Sequence, residues 1–195
     1  MHSLRYYKRH FLLGLLALII AGGAYVVQQQ GWLDKAGKTA EQDQPGLYSI
    51  NHFIDGDTIA VNMNGQAESV RFIGVDTPET HKPNTPVQCY GPAAAAFTKN
   101  TIGSSKVRLE SDPLSTNRDR YNRLLRYVYL PDGTLLNEKL IQQGYGFYYP
   151  YFPFSKSKQF AADEQTAMAA RKGLWANCHP MPTDDGGYVS NNQGT

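Results

Sequence analysis

Asn64-Gly65 is the feature that most restricts what this chain can fold into. A two-residue type I′ turn needs positive φ at both central positions, which Asn and Gly tolerate, and its twist matches that of two paired strands. The flanking residues are rich in β-branched and aromatic types. They predict short strands over Tyr48 to Phe53, Thr58 to Asn62 and Glu68 to Ile73, the first two separated by an Asp-Gly turn. Further along, Pro92 to Ile102 carries Pro in its first turn and then four alanines, and predicts a helix. Lys106 to Glu110 alternates as a strand, and Leu124 to Leu130 is another that turns at Pro131-Asp132-Gly133. Leu136, Leu140 and Ile141 line one face of a short helix ended by Gly144. Phe160, Ala167 and Met168 do the same for a last helix closed by Gly173. The class is therefore α+β, and a small antiparallel barrel capped by helices suits the pattern.

The two ends read differently. Arg5, Lys8 and Arg9 precede Phe11 to Val27, a run of 17 residues without a charge. That pattern is a signal sequence or an uncleaved anchor, since its length is near the ~17-residue minimum for a spanning helix. Ala21-Gly22-Gly23-Ala24 offers cleavage positions, while Tyr25-Val26-Val27 extends the apolar stretch and favours the anchor. With the positive charges inside, either outcome exports the rest of the chain. The expected organisation is a basic cytoplasmic segment at 1–10, the transmembrane or signal helix at 11–27, and a polar linker at 28–46. A domain at 47–178 follows, and a Pro-, Gly-, Asn- and Asp-rich disordered tail at 179–195. The formal charge of +2 is no nucleic-acid signature, because without the three leading cations 16 basic residues face 17 acidic ones. Attraction for a polyanion must come from local clusters and bound metal.

Three such clusters follow in order. They are Asp55-Gly56-Asp57-Thr58, then Arg71 through Val75-Asp76-Thr77-Pro78-Glu79, then Arg118-Asp119-Arg120-Tyr121-Asn122-Arg123. Asp57 and Asp76 can give carboxylate oxygens to a hard cation such as Ca²⁺. Arg71 and Arg123 can clamp a phosphate through their planar donor forks. Glu79 is placed to orient or deprotonate a water. Each cluster alone could be a turn or a solvated loop; their order and spacing together point to metal-assisted phosphodiester cleavage. Arg71 and Asp76 would face opposite ways in a regular strand, so the chain must leave strand geometry between them, and Gly74 allows it. The five histidines are scattered without ligand spacing, which argues against zinc. Cys89 and Cys178, an even count in an exported chain, favour one disulfide tying the C-terminal helix to the candidate-site loop.

From Leu47 to Trp175 the chain resembles the thermonuclease (micrococcal nuclease) family. The resemblance rests on the Asp-Gly-Asp-Thr turn, Val75-Asp76-Thr77-Pro78-Glu79-Thr80, Tyr90-Gly91-Pro92 and Lys172-Gly173-Leu174-Trp175. It implies a five-stranded OB-fold barrel with about three helices, and a Ca²⁺-dependent nuclease acting on DNA or RNA as a monomer and leaving 3′-phosphates. It assigns Asp57, Asp76 and the Thr77 carbonyl to the metal, Glu79 to the attacking water, and Arg71 and Arg123 to the phosphate. Asn122 departs from the family's usual Gly. The family's base-stacking tyrosines fall within Tyr145 to Phe154, at Pro150 and Phe152 without a gap or at Tyr149 and Tyr151 with one. The rival reading is a catalytically silent, membrane-tethered nucleic-acid-binding module on the same fold.

Overall fold

The structure, a computed structural model, describes residues 46–80 and 86–193. The basic segment, the apolar run and all but the last linker residue lie outside the described residues. Among those described, no helix is long and apolar enough to cross a membrane.

The strands are β1 (Leu47–Tyr48), β2 (Ile50–Phe53), β3 (Thr58–Met63), β4 (Gln66–Phe72), β5 (Val75–Asp76), β6 (Val107–Glu110), β7 (Leu124–Tyr129), β8 (Phe147–Tyr148), β9 (Met181–Pro182) and β10 (Tyr188–Val189). The helices are α1 (Gly91–Ile102), α2 (Leu136–Gln142), α3 (Ser157–Ala169) and the single turn α4 (Leu174–Asn177). This is an α+β fold. Its main sheet runs β1-β6-β7-β4-β3-β2, where the resemblance implied five strands. The extra strand has a local cause: Ser49 interrupts the first strand, so β1 pairs with β6 while β2 pairs with β3. The sheet's two edges are thus consecutive in the chain, and the sheet is curled. Asn64 (φ 50°) and Gly65 (φ 80°) make the expected turn, with Met63 opposite Gln66. Among the described strands of the main sheet, β4 and β7 are the one parallel pair, made possible by the intervening α1 and β6.

The interior of the curl holds Ile59, Val61, Val70, Phe72, Leu109, Leu124 and Val128, covered by Leu136, Leu140 and Ile141 of α2 and Phe160 of α3. Each such side chain contributes about 1.5–3 kcal/mol by leaving water. Asn137, fully buried on α2, accepts the Val128 N–H at 2.8 Å and donates to the carbonyls of Ile73 at 2.9 Å and Arg126 at 3.1 Å. It fastens the end of β4 just where the candidate site begins.

The expected disordered tail is corrected over 179–193. β9 and β10 form a hairpin, and Tyr188 packs against Phe147 and Trp175 with ring centroids 6.1 and 5.0 Å apart. Turn-forming composition here served a tight hairpin with aromatic anchorage instead of a solvated end. The expected bridge between Cys89 and Cys178 is present, with Cα atoms 5.9 Å apart.

Candidate active site

Asp55-Gly56-Asp57 makes the turn into β3, closed by the Asp57 N–H donating to Asp55 Oδ1 at 3.1 Å. A Cβ on Gly56 would sit 2.7 Å from Thr77 Oγ1, so only glycine lets this turn approach Thr77. Thr98 of α1 donates its hydroxyl to the Gly56 carbonyl and holds the turn from behind. Asp57 is 4% exposed. Its Oδ2 accepts the Thr77 N–H at 2.7 Å and hydroxyl at 3.1 Å, and its Oδ1 accepts the Thr58 hydroxyl at 3.0 Å.

Gly74 breaks the strand as expected, with φ 74°. Arg71 braces the bend by donating Nη1 hydrogens to the carbonyls of Phe72 at 3.1 Å and Val75 at 2.6 Å. Asp76 is thereby returned to Arg71, whose Nη2 donates to Asp76 Oδ1 at 2.7 Å while Nη1 lies 3.3 Å from Asp57 Oδ1. One guanidinium bridges two carboxylates. The Arg71 side chain is 12% exposed and that of Asp76 is 40% exposed, so Asp76 marks the solvent side. Burial opposes the charge on Arg71, but Asp57, Asp76 and Asp55 outweigh it and raise its pKa above the ordinary value. Burial, aided by the charge of Asp57, pushes the Asp55 carboxyl up to about 7. The cluster is rich in hard oxygen and crowded with negative charge. Among the described residues no three His, Cys, Asp or Glu side chains form a ready-made metal cage, so further oxygens would come from main chain and water.

The structure thus brings Asp57, Arg71, Asp76 and Thr77 together. Glu79 follows on the same segment, its N–H donating to Gln88 Oε1 at 2.8 Å and its carbonyl accepting the Gln88 N–H at 2.9 Å. Among the described residues, no hydrogen bond or ion pair joins Arg123 to this group. Its N–H and Nε donate to Asp119 at 2.9 and 2.7 Å, and its guanidinium lies 5.3 Å from the Tyr121 ring centroid. The β4–β7 register pairs Arg71 with Leu125, so Arg123 lies just before the strand that neighbours Arg71. Asn122 has φ 65°, a left-handed conformation that Asn tolerates, so its difference from Gly is conformationally conservative.

Thr98 and Gln88 hold the site without any signal in the sequence, whereas Thr58 closes the Asp-Gly-Asp-Thr motif. Tyr149 sits with its ring centroid 5.8 Å from the Arg71 guanidinium, and Tyr151 and Phe152 cluster with it at 4.7 and 5.9 Å. Pro150 has no aromatic ring to offer a base, so the aromatic surface beside Arg71 is made by its neighbours.

Residues 69–177 match the family model described as staphylococcal nuclease homologue. The chain belongs to the staphylococcal nuclease family. It is 39% identical over 169 residues to the thermonuclease of Staphylococcus hyicus, covering 85% of this chain and 96% of that protein. It is 40% identical over 161 residues to endonuclease YncB of Bacillus subtilis strain 168, covering 80% and 72%. It is 44% identical over 131 residues to the thermonuclease of Staphylococcus intermedius, covering 67% and 76%. The chain is accordingly an enzyme of the nuclease family, a hydrolase by class.

Proposed function

We propose that this enzyme is a Ca²⁺-dependent phosphodiesterase that cleaves DNA or RNA with little base preference and leaves 3′-phosphates. The observation that supports this most is Arg71, a nearly buried guanidinium held between Asp57 and Asp76. Among the described residues, its Nε–H and second Nη2–H have no protein partner, which leaves two donors of the fork for a phosphate. A scissile phosphate seated on that fork gains charge on its oxygens as the bond breaks, and a fixed cation aimed there lowers the barrier. Asp57 and Asp76, with the Thr77 carbonyl, fit a hard cation because every candidate donor is oxygen. When bound, Ca²⁺ would supply Lewis-acid polarisation of the phosphate. Glu79 orients or deprotonates the attacking water, and Arg123 exchanges Asp119 for the phosphate when substrate arrives. The aromatic group of Tyr149, Tyr151 and Phe152 offers π-faces that any base can use, consistent with weak sequence preference.

The same proposal covers fold and location. The strand order, with β1 and β2 separated only by Ser49 and β4 parallel to β7, is what a five-stranded OB barrel would give once β1 and β2 count as one strand. The disulfide suits an oxidising compartment, and the apolar run at 11–27 would export the domain, as a single-span membrane anchor or a cleaved signal. The domain acts as a monomer. Incubating the protein with DNA and with RNA, in Ca²⁺ and in chelator, tests the activity. Cleavage only with Ca²⁺ supports it, whereas binding without cleavage in either condition would leave a silent binding module.

A further inference from the structure

We propose that Gln88 is a positioning residue for Glu79, and that the C-terminal segment beyond the family match holds Gln88 in place. The inference rests on the nuclease reading for the role of Glu79 but not for its geometry. Glu79 spends both main-chain polar groups on one residue: its N–H on Gln88 Oε1 at 2.8 Å and its carbonyl on the Gln88 N–H at 2.9 Å. With N–H and carbonyl both pinned, the Cα from which the carboxylate departs is fixed. The start of α1 presses from another side, where a Cβ on Gly91 would lie 2.9 Å from the Glu79 carbonyl oxygen.

What fixes Gln88 in turn lies at the far end of the chain. Residues 87–89 run antiparallel to 191–193: Cys89 N–H donates to the Asn191 carbonyl at 2.7 Å, Gln88 bridges Asn192, and Gln193 N–H donates to the Val87 carbonyl at 2.8 Å. Ser190, 4% exposed, adds its hydroxyl to the Cys89 carbonyl at 2.9 Å. The Cys89–Cys178 bridge anchors the same short segment. The family match ends at residue 177, so most of this brace lies outside it. The C-terminal segment is therefore a working part of the site and not an appendage.

A small misplacement of a reacting group can cost about 10²-fold in rate, so loosening this grip should register in kcat. The test compares Gln88→Met and a chain lacking residues 190–195 with the full-length protein, each also in a Glu79→Gln background. Gln88→Met should lower kcat about tenfold with KM nearly unchanged, and the shortened chain should lose about threefold. Neither change should lower kcat further once Glu79 is Gln, because the residue being positioned no longer acts. Main-chain hydrogen exchange at Glu79, read by NMR without metal or substrate, should quicken in both. An equal loss of kcat in the Glu79→Gln background, wild-type kcat in Gln88→Met, or unchanged exchange at Glu79 would overturn the proposal. A full-length protein that cleaves nothing would sink the nuclease reading instead, and the exchange rates would still decide whether Gln88 holds Glu79.

Discussion

Glu164 on α3 is 3% exposed, and the bond that acts on its carboxylate is the Tyr148 N–H, donated to Oε1 at 2.9 Å. Burial raises its carboxyl from the ordinary 4.5 to about 7, with the Tyr148 bond only partly offsetting it. Below pH 4.5 the group is protonated in both folded and unfolded chains, and its contribution to stability is fully present. Between 4.5 and about 7 the unfolded chain releases its proton while the folded chain keeps it, so stability falls as pH rises. Above that window the loss is complete and amounts to about 3 kcal/mol. Glu164→Gln keeps an oxygen for the Tyr148 N–H and has no charge to bury. The variant should match the wild type at pH 4 and exceed it at pH 8.5 by about 2–3 kcal/mol, allowing for a weaker neutral hydrogen bond. Urea unfolding of both proteins across this range measures the difference, and subtraction removes groups common to both, Asp55 among them. A difference that stays flat with pH, or a variant less stable at pH 8.5, would refute the account of a carboxylate buried without a cation.

Other outcomes follow from the same geometry. Replacing Cys89 and Cys178 with Ser should cost about 4–5 kcal/mol by chain entropy, since the bridge spans 89 positions, and equilibrium denaturation reads it directly. Gly74→Ala meets both a φ of 74° and a Phe154 ring atom 2.5 Å from the new Cβ, so it should destabilise the fold by about 1–3 kcal/mol and separate Asp76 from Arg71, seen as lost activity. Arg71→Lys should recover little of the rate lost in Arg71→Ala, because an ammonium cannot hold Val75, Asp76 and a phosphate at once; kcat for the two variants checks this.

The parts of this molecule that were legible in its sequence are those with local causes. Asn64-Gly65 needs only its own backbone to turn, and Gly74 only its own freedom to bring Asp76 back to Arg71. The β5–β8 pair has no sequence signature because two residues are too few to show a period, yet it sets Asp76 opposite Phe147. The segment from 179 departs from the expected tail because Pro, Gly, Asn and Asp serve tails and tight hairpins alike. What orders it is Tyr188 against Phe147 and Trp175, and Asn191 against Cys89, contacts between residues far apart in the chain. The bond of Arg123 to Asp119 depends on side-chain geometry that spacing does not encode. The grip of Gln88 on Glu79 is likewise a single pair of hydrogen bonds with no motif of its own.

The central claim is that a fixed guanidinium between two carboxylates works on a phosphate in a Ca²⁺-dependent cleavage. It is tested most directly by the single-turnover cleavage rate of Arg71→Ala at saturating Ca²⁺ and substrate, beside the wild type. The account predicts a loss of about 10²–10³ in rate, the cost of removing one aimed charge. A variant that cleaves at the wild-type rate would contradict it.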